Sequence, residues 1–440
     1  MADRSLDRIA DAEEAADARV ALAREWDELV LRARELPEFA DFLRPLQLKD
    51  LLAAAEDGPV VVVNVSRWQC DALIVQAGGV TTCALPDLKA DDAAARADHY
   101  LNTLQAGEVA AEARDAARRR RGSAATMAER QAAQRAERAV AEATRTIETM
   151  LADLLGWLWD AIAEPVLRNL KILDAPADLA LLPRIWWCPT GPLTFLPIHA
   201  AGHHAGTSKT PSSVMDVAVS SYTPTLRALM QARRPQTRNE PGTDRLLVVG
   251  LRDTPGQREL TGVDKELDAL AALTPPHLRT QLVGPAATRE SVRQLLRTHQ
   301  WVHFSCHGNQ ELDDPSQGGL ALHDGVLSIA DVTTEQFHAE FAGLSACKTA
   351  TGGRHLPDEA ITLAAALHYT GYRHVIATLW SVYDSDSTTD LFGAIYRDLI
   401  VDGRLHAERS ARALHRAVLE LRDAQPGQPS AWTPFTHTGP

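Results

Sequence analysis

Residues 301–308 read WVHFSCHG and residues 341–348 read FAGLSACK. Each is a short apolar run that stops at one reactive side chain, His307 in the first and Cys347 in the second. Trp301, Val302, His303 and Phe304 are β-prone, and after His307 they are bounded by Gly308 and the polar string Asn309 to Ser316. Phe341, Ala342, Gly343 and Leu344 repeat the plan ahead of Ser345, Ala346 and Cys347. Apolar residues at consecutive positions belong to strands covered on both faces of a mostly parallel sheet. In such sheets the reacting groups sit just beyond the carboxyl ends of the strands. A thiol and an imidazole brought together there are a nucleophile and its base.

Working outward, strand and helix alternate from Arg184 to the end. RIWWCP (184–189), RLLVVG (245–250), Arg279 to Val283 and YRHVIATLW (372–380) read as strands, RLLVVG and YRHVIATLW as buried ones. LTGVDKELDAL, ATRESVRQLLRTH with Thr288 as its cap, ITLAAALHYTG ending at Gly371, and RLHAERSARALHRAVLELR read as helices. This alternation predicts a mainly parallel sheet. A further helix is expected from Thr225, capped by Thr223 with Pro224 in its first turn. GGLALHDGVLS predicts a hairpin turning at Asp324-Gly325, either a flap beside the site or an ordinary edge hairpin. The tail SAWTPFTHTGP, with Trp432 and Phe435, is expected on the sheet edge.

Ahead of this region the pattern differs. Residues 1–56 read as helical, with Leu22, Trp26, Leu29, Leu31 and Phe42 at helical spacing. VVVVNVS, DALIVQA and VTTCALP form a small β-meander. Residues 87 to about 170 read as helical. The centre is rich in Ala, Glu and Arg, which suits a long solvated helix pair or a mobile arm, and the strongly apolar LADLLGWLWDAIAEPVLRNL that follows should pack against the main sheet. The run Arg118 to Arg121, before Gly122-Ser123, reads as a turn or exposed loop. The expected organisation is a helical segment over 1–56, the meander with a helical arm over 57–180, and an α/β domain over 181–440.

The chain has 440 residues, 45% hydrophobic and 23% charged, with a formal net charge of -13. That is ample for a large core, and the acidic balance argues against nucleic acid as a partner. Five cysteines (Cys70, Cys83, Cys188, Cys306, Cys347) at irregular spacing argue against a disulfide framework and for a reducing, cytoplasmic setting. The acidic start has no apolar signal-peptide core, and no run approaches the ~18 apolar residues of a membrane span. GTSKT (206–210) lacks the glycines of a phosphate loop. His303, Cys306 and His307 form H-x-x-C-H, but His303 and Cys306 fall on opposite faces of a strand. No second ligand pair lies nearby, so neither a metal nor another cofactor is expected.

PTGPLTFLPIHA, LTGVDKELDAL, WVHFSCHG, LSACKTATG, DEAITLAAALHYTGYRHVIATLWSV and the closing Trp432-x-x-Phe435-x-x-x-Gly439 resemble the CHAT family of caspase-like cysteine peptidases. These are relatives of caspases, separase and gingipains. The resemblance covers about Ile185 to the end, and the meander is similar to a piece that often precedes this domain in larger relatives. It implies a caspase-like α/β sandwich with a mostly parallel sheet, here behind a mostly helical N-terminal region. The helical repeats many relatives carry are absent, since 1–180 has no period of about 34 residues.

The resemblance implies a cysteine endopeptidase acting on a protein substrate. Cys347 would attack the peptide carbonyl, and His307 would take its proton and assist departure of the amine. Relatives build an oxyanion hole from two backbone N–H groups, here those of Gly308 and Cys347. Asp384 and Asp386 match an acidic position that receives a basic P1 side chain in arginine-specific relatives. The plainer reading is that one of them caps the following helix. Asp358 and Glu359 in the loop after Cys347 are second candidates. A basic P1 preference would make Arg118 to Arg121 an autoprocessing site. Kinship leaves room for an activating partner or ligand and for a role in defence or cell death. The rival from another class is a catalytically silent scaffold that binds partners through its helical N-terminal region.

Overall fold

The structure, a computed structural model, describes residues 20–36, 44, 47–120, 126–173, 181–204, 212–234, 245–309, 314–346, 349, 362–380 and 386–440. The chain divides into two units, Met1–Leu51 and Leu52–Pro440. In the first, residues 20–34 are helical. Leu22, Trp26, Leu29 and Leu31 of that helix are solvent-exposed, and Val30 is buried. Phe42 lies outside the described residues.

The second unit is built on an 11-stranded sheet. Its strands are β1 (Val60–Asn64), β2 (Asp71–Gln76), β3 (Gly79–Ala84), β4 (Arg184–Pro189), β5 (Val219–Tyr222), β6 (Leu246–Gly250), β7 (Arg279–Val283), β8 (Trp301–Ser305), β12 (Ala339–Ser345), β13 (Tyr372–Thr378) and β16 (Phe435–Thr438). Smaller pieces complete the set. β9 (Gly308–Asn309), β10 (Gly319–Leu322) and β11 (Gly325–Ser328) form a three-stranded sheet, and β14 (Ile400–Val401) pairs with β15 (Arg404–Leu405). The large sheet runs β3-β2-β1-β4-β5-β16-β13-β12-β8-β6-β7. Its neighbours are parallel except at β3–β2, β2–β1 and β16–β13. The meander is thus continuous with the main sheet, because β1 pairs in parallel with β4.

Helices cover both faces. Helices Gly262–Leu273, Asp386–Leu399 and Ser410–Ala424 pack on one face with Trp301 and Phe341. Helices Arg289–Leu296 and Leu363–Tyr369 pack on the other with Val302 and Phe304. Such two-sided cover is why these strands read as unbroken apolar runs. Among the described residues, no helix is long and apolar enough to cross a membrane.

The Ala/Glu/Arg-rich region is a helix pair, Ala90–Arg120 packed against Met127–Leu158. Thr126 caps the second helix, accepting from the Glu129 N–H while the Glu129 carboxylate reaches back to the Thr126 N–H, a capping box. The basic run does not form the turn expected of it. Arg118, Arg119 and Arg120 are the last turn of the first helix, where cations suit the helix dipole, and Arg118 pairs with Glu137 across the hairpin at 2.7 Å. Arg121 lies outside the described residues.

Three other expectations are corrected. The tail is no edge element: β16 lies between β5 and β13 and joins the two parallel halves of the sheet. Its polar residues tolerate burial because they are paired. His437 Nδ1 lies 2.8 Å from Ser221 Oγ, and its Nε2 lies 3.0 Å from Ser410 Oγ and 3.1 Å from His374 Nδ1. Helix Leu226–Arg233 is capped by Thr225, which accepts from the Ala228 N–H at 3.1 Å, and Thr223 instead donates to the Thr225 carbonyl. The hairpin turns at His323-Asp324, since Leu322 pairs with Gly325. Gly325 opens β11 at φ 141°, a conformation glycine tolerates.

Candidate functional site

β8 and β12 are adjacent and parallel, in the register Phe341↔Trp301 through Ser345↔Ser305. His307 follows Ser305 by two residues, and Cys347 follows Ser345 by two. The strand tips that lead to these two positions are therefore neighbours, about 4.8 Å apart, with Ser305 level with Ser345. Cys347 itself lies outside the described residues, as do Asp358, Glu359 and Asp384.

The chain on either side of residues 347–348 is well anchored. The Ala346 carbonyl accepts from Thr378 Oγ1 at 2.7 Å and from Thr349 Oγ1 at 3.4 Å. Thr349 Oγ1 accepts from the Thr378 N–H at 3.0 Å, and the Thr349 carbonyl accepts from the Ala364 N–H at 2.9 Å. These bonds tie the segment to the end of β13 and to helix Leu363–Tyr369. Rigid anchoring of this kind is what a positioned nucleophile needs.

His307 is partly buried, and its Nε2–H donates to the carbonyl oxygen of Arg258 at 2.7 Å. A carbonyl can only accept, so this bond fixes the neutral tautomer with the proton on Nε2 and leaves Nδ1 as the basic nitrogen. Arg258 lies on the loop after β6. That loop is braced by Arg252, which pairs with Glu259 and, at 2.6 Å, with Asp264 of the following helix.

After His307 the chain enters β9 and pairs at once with β10. The His307 carbonyl accepts from the Ala321 N–H at 2.8 Å. In the register Leu320↔Gly308 the Gly308 N–H points away from β10, so the ladder does not consume the donor that an oxyanion would need. The hairpin β10–β11 is therefore joined directly to the strand leaving His307. It is held down by Leu320, Leu322 and Leu327, which are buried.

Beneath the site sits a buried acid. Glu266 is 4% exposed; it accepts from Ser305 Oγ, and its Oε1 lies 3.3 Å from His303 Nε2. His303 is fully buried, edge-on to Phe392 and Tyr396, whereas Cys306 lies in the core of the opposite face. Four cysteines are described, and all four are buried and free of disulfides. Burial pushes the Cys188 thiol up to about 12 and raises that of Cys83, so these two stay protonated and inert. Among the described residues, no three His, Cys, Asp or Glu side chains converge on a metal position.

Asp386 is the first residue of helix Asp386–Leu399. Just ahead of it, beyond β13, Trp380 is buried edge-on against Tyr100 of the first arm helix, with ring centroids 5.8 Å apart. Two contributors escape a reading of the sequence alone. Arg258 acts through its backbone, which leaves no signature. Glu266 does leave one: Val263, Glu266, Leu267 and Leu270 are the buried positions of one helix, so an acid occupies a place in the apolar stripe.

The CHAT domain family model matches residues 152–440. The chain belongs to the CHAT family. The match begins in the second arm helix and takes in both strand tips that carry His307 and Cys347. A solved structure of the Saccharomyces cerevisiae separase–securin complex is similar, with a TM-score of 0.54 at 10% sequence identity. The alignment covers 89% of this CHAT chain and 30% of that chain. At that identity the likeness is one of fold, the caspase-like α/β sandwich with its mostly parallel sheet. No curated protein matches the chain.

Proposed function

We propose that this CHAT protein is a cysteine endopeptidase, with Cys347 as nucleophile and His307 as general base. The reading is carried by the register that pairs Ser305 with Ser345, because it brings the two strand tips side by side. His307 Nδ1 takes the thiol proton as Cys347 attacks the scissile carbonyl, and returns it to the departing amine. The N–H groups of Gly308 and Cys347 receive the oxyanion. The substrate is a protein cleaved after a basic residue, with Asp384 or Asp386 as its anionic partner and Asp358 or Glu359 as second candidates. The setting is the cytoplasm, in a defence or cell-death pathway, under the control of an activating partner or ligand. Arg118 to Arg121 is the corresponding self-cleavage site, reached once the helix end frays. An intact chain after prolonged incubation of active enzyme excludes that step.

The deciding experiment is labelling with a thiol-reactive peptidyl probe, wild type against Cys347→Ala. Labelling confined to wild type supports the reading, and labelling absent from both or equal in both ends it. A second reading, a silent partner-binding scaffold, is favoured by the exposed Leu22, Trp26 and Leu29 on the helix of residues 20–34.

A further inference from the structure

The first arm helix, Ala90–Arg120, follows β3 and packs against the turn of residues 191–195 that follows β4. Its Tyr100 meets Trp380, just beyond the end of β13. Fifteen residues on, about 22 Å at the helical rise, Asp115 Oδ2 lies 3.5 Å from Arg258 Nη1. Both side chains are less than a third exposed. Asp115 is itself held by Arg114, at 2.8 Å. Arg258 is the residue whose carbonyl receives the His307 Nε2–H. An unbroken line of contacts thus runs from the arm through one ion pair and one peptide unit to the imidazole.

We propose that Asp115 is a positioning residue for His307, acting through Arg258. The proposal rests on reading His307 as the general base. The Arg252 pairs tie the loop only to its own following helix. Asp115 adds a tie from outside that helix, from a helix that precedes the family match at residue 152. Were the Arg258 side chain released, the peptide carrying its carbonyl would gain freedom. The imidazole would then lose the bond that fixes its tautomer and ring plane, and the proton transfer from Cys347 would slow. Substrate contacts would be untouched, so the effect falls on the chemical step and not on binding. The arm also becomes a lever: whatever displaces the helix hairpin slows the site without touching it.

The test uses the full chain and a peptidyl acyloxymethyl ketone with arginine at P1, following modification of Cys347 by intact mass. Asp115→Ala is expected to lower kinact at least about fivefold with KI unchanged. Asp115→Glu is expected to recover most of the loss, and so is the exchanged pair Asp115→Arg with Arg258→Asp. The melting temperature of each variant is taken alongside, and the exchanged pair keeps the test decisive if Asp115→Ala folds poorly. If wild type shows no labelling that depends on both Cys347 and His307, the peptidase reading falls and takes this proposal with it. If wild type labels and Asp115→Ala matches it, the proposal alone is overturned. The same holds if neither Asp115→Glu nor the exchanged pair exceeds Asp115→Ala, or if the change appears in KI.

Discussion

The Nε2–H of His307 is spent on the carbonyl of Arg258, at 2.7 Å. The ring therefore presents Nδ1 as its base, and no side-chain carboxylate is needed to orient it. His307→Gln keeps an N–H that can reach the same carbonyl but supplies no base. It is expected to fold normally and to lose about 10²- to 10⁴-fold in kcat/KM. Peptide hydrolysis and thermal melting, measured side by side, check both halves. Unchanged turnover in a folded variant would remove His307 from the mechanism.

Glu266 supports the strand that ends at the site. Replacing it with Ala strands the Ser305 hydroxyl and leaves the buried His303 ring without its carboxylate neighbour. Loss of a buried hydrogen-bond partner costs about 1–3 kcal/mol. Glu266→Gln keeps an acceptor for Ser305, and its loss should be the smaller. Urea midpoints order the three proteins as wild type, Gln variant, Ala variant. An Ala variant as stable as wild type would mean the cluster is solvated.

How much of this was legible beforehand depended on whether a residue's role is written in its own side chain and neighbours. The strands β8 and β12 announce themselves because two-sided burial demands consecutive apolar residues, and His307 and Cys347 stand at their ends. β16 escapes such a reading because Phe435 is followed by three polar residues in a row, Thr436, His437 and Thr438, as at an exposed edge. Its burial depends on Ser221, His374 and Ser410, which are distant in sequence. The cap at Thr225 is ambiguous for a local reason: Thr223 and Thr225 are both competent, and only the path of the chain after Pro224 decides between them. The Asp115–Arg258 pair joins residues from separate helical and loop segments, a relation that no periodicity encodes.

Buried neutral histidines set the acid limit. Burial pulls His199 and His368 down to about 4 and lowers His374 and His437 well below their ordinary range. In the unfolded chain each imidazole titrates near ~6.5. As pH falls, the unfolded state therefore binds protons first. The stability these groups contribute is whole above about 6.5 and is lost as pH drops towards about 4, of order 3 kcal/mol for a group shifted this far. Denaturation midpoints at a series of pH values should be level above neutrality and fall steadily below 6.5, and His368→Gln should lessen the slope. A midpoint flat to pH 4.5 contradicts this.

Gly439 tests the central place of the tail. Its φ is 128°, and a Cβ there would sit 2.1 Å from the Arg373 carbonyl. Gly439→Ala is expected to cost more than about 3 kcal/mol. Gly427 has nothing within 4 Å of the same position and no unusual φ, so Gly427→Ala should stay within about 0.5 kcal/mol of wild type. Equal melting of the two variants would contradict the insertion of β16 between β5 and β13.

The specificity assignment divides cleanly between capping and recognition. Asp386 opens its helix, and Asp384 precedes it by two residues. Serine is as good a cap as aspartate but carries no charge. If either acid only caps, its Ser variant keeps both stability and substrate preference. If it receives a guanidinium, the Ser variant keeps stability and loses a charge-assisted hydrogen bond, about 1.5–3 kcal/mol. That is about ten- to a hundredfold in kcat/KM for arginine at P1, with little change for neutral residues. Profiling wild type, Asp384→Ser and Asp386→Ser on one peptide library separates the cases. A basic preference that survives both substitutions moves the assignment to Asp358 or Glu359, and a wild-type preference for apolar P1 residues removes the acidic pocket altogether.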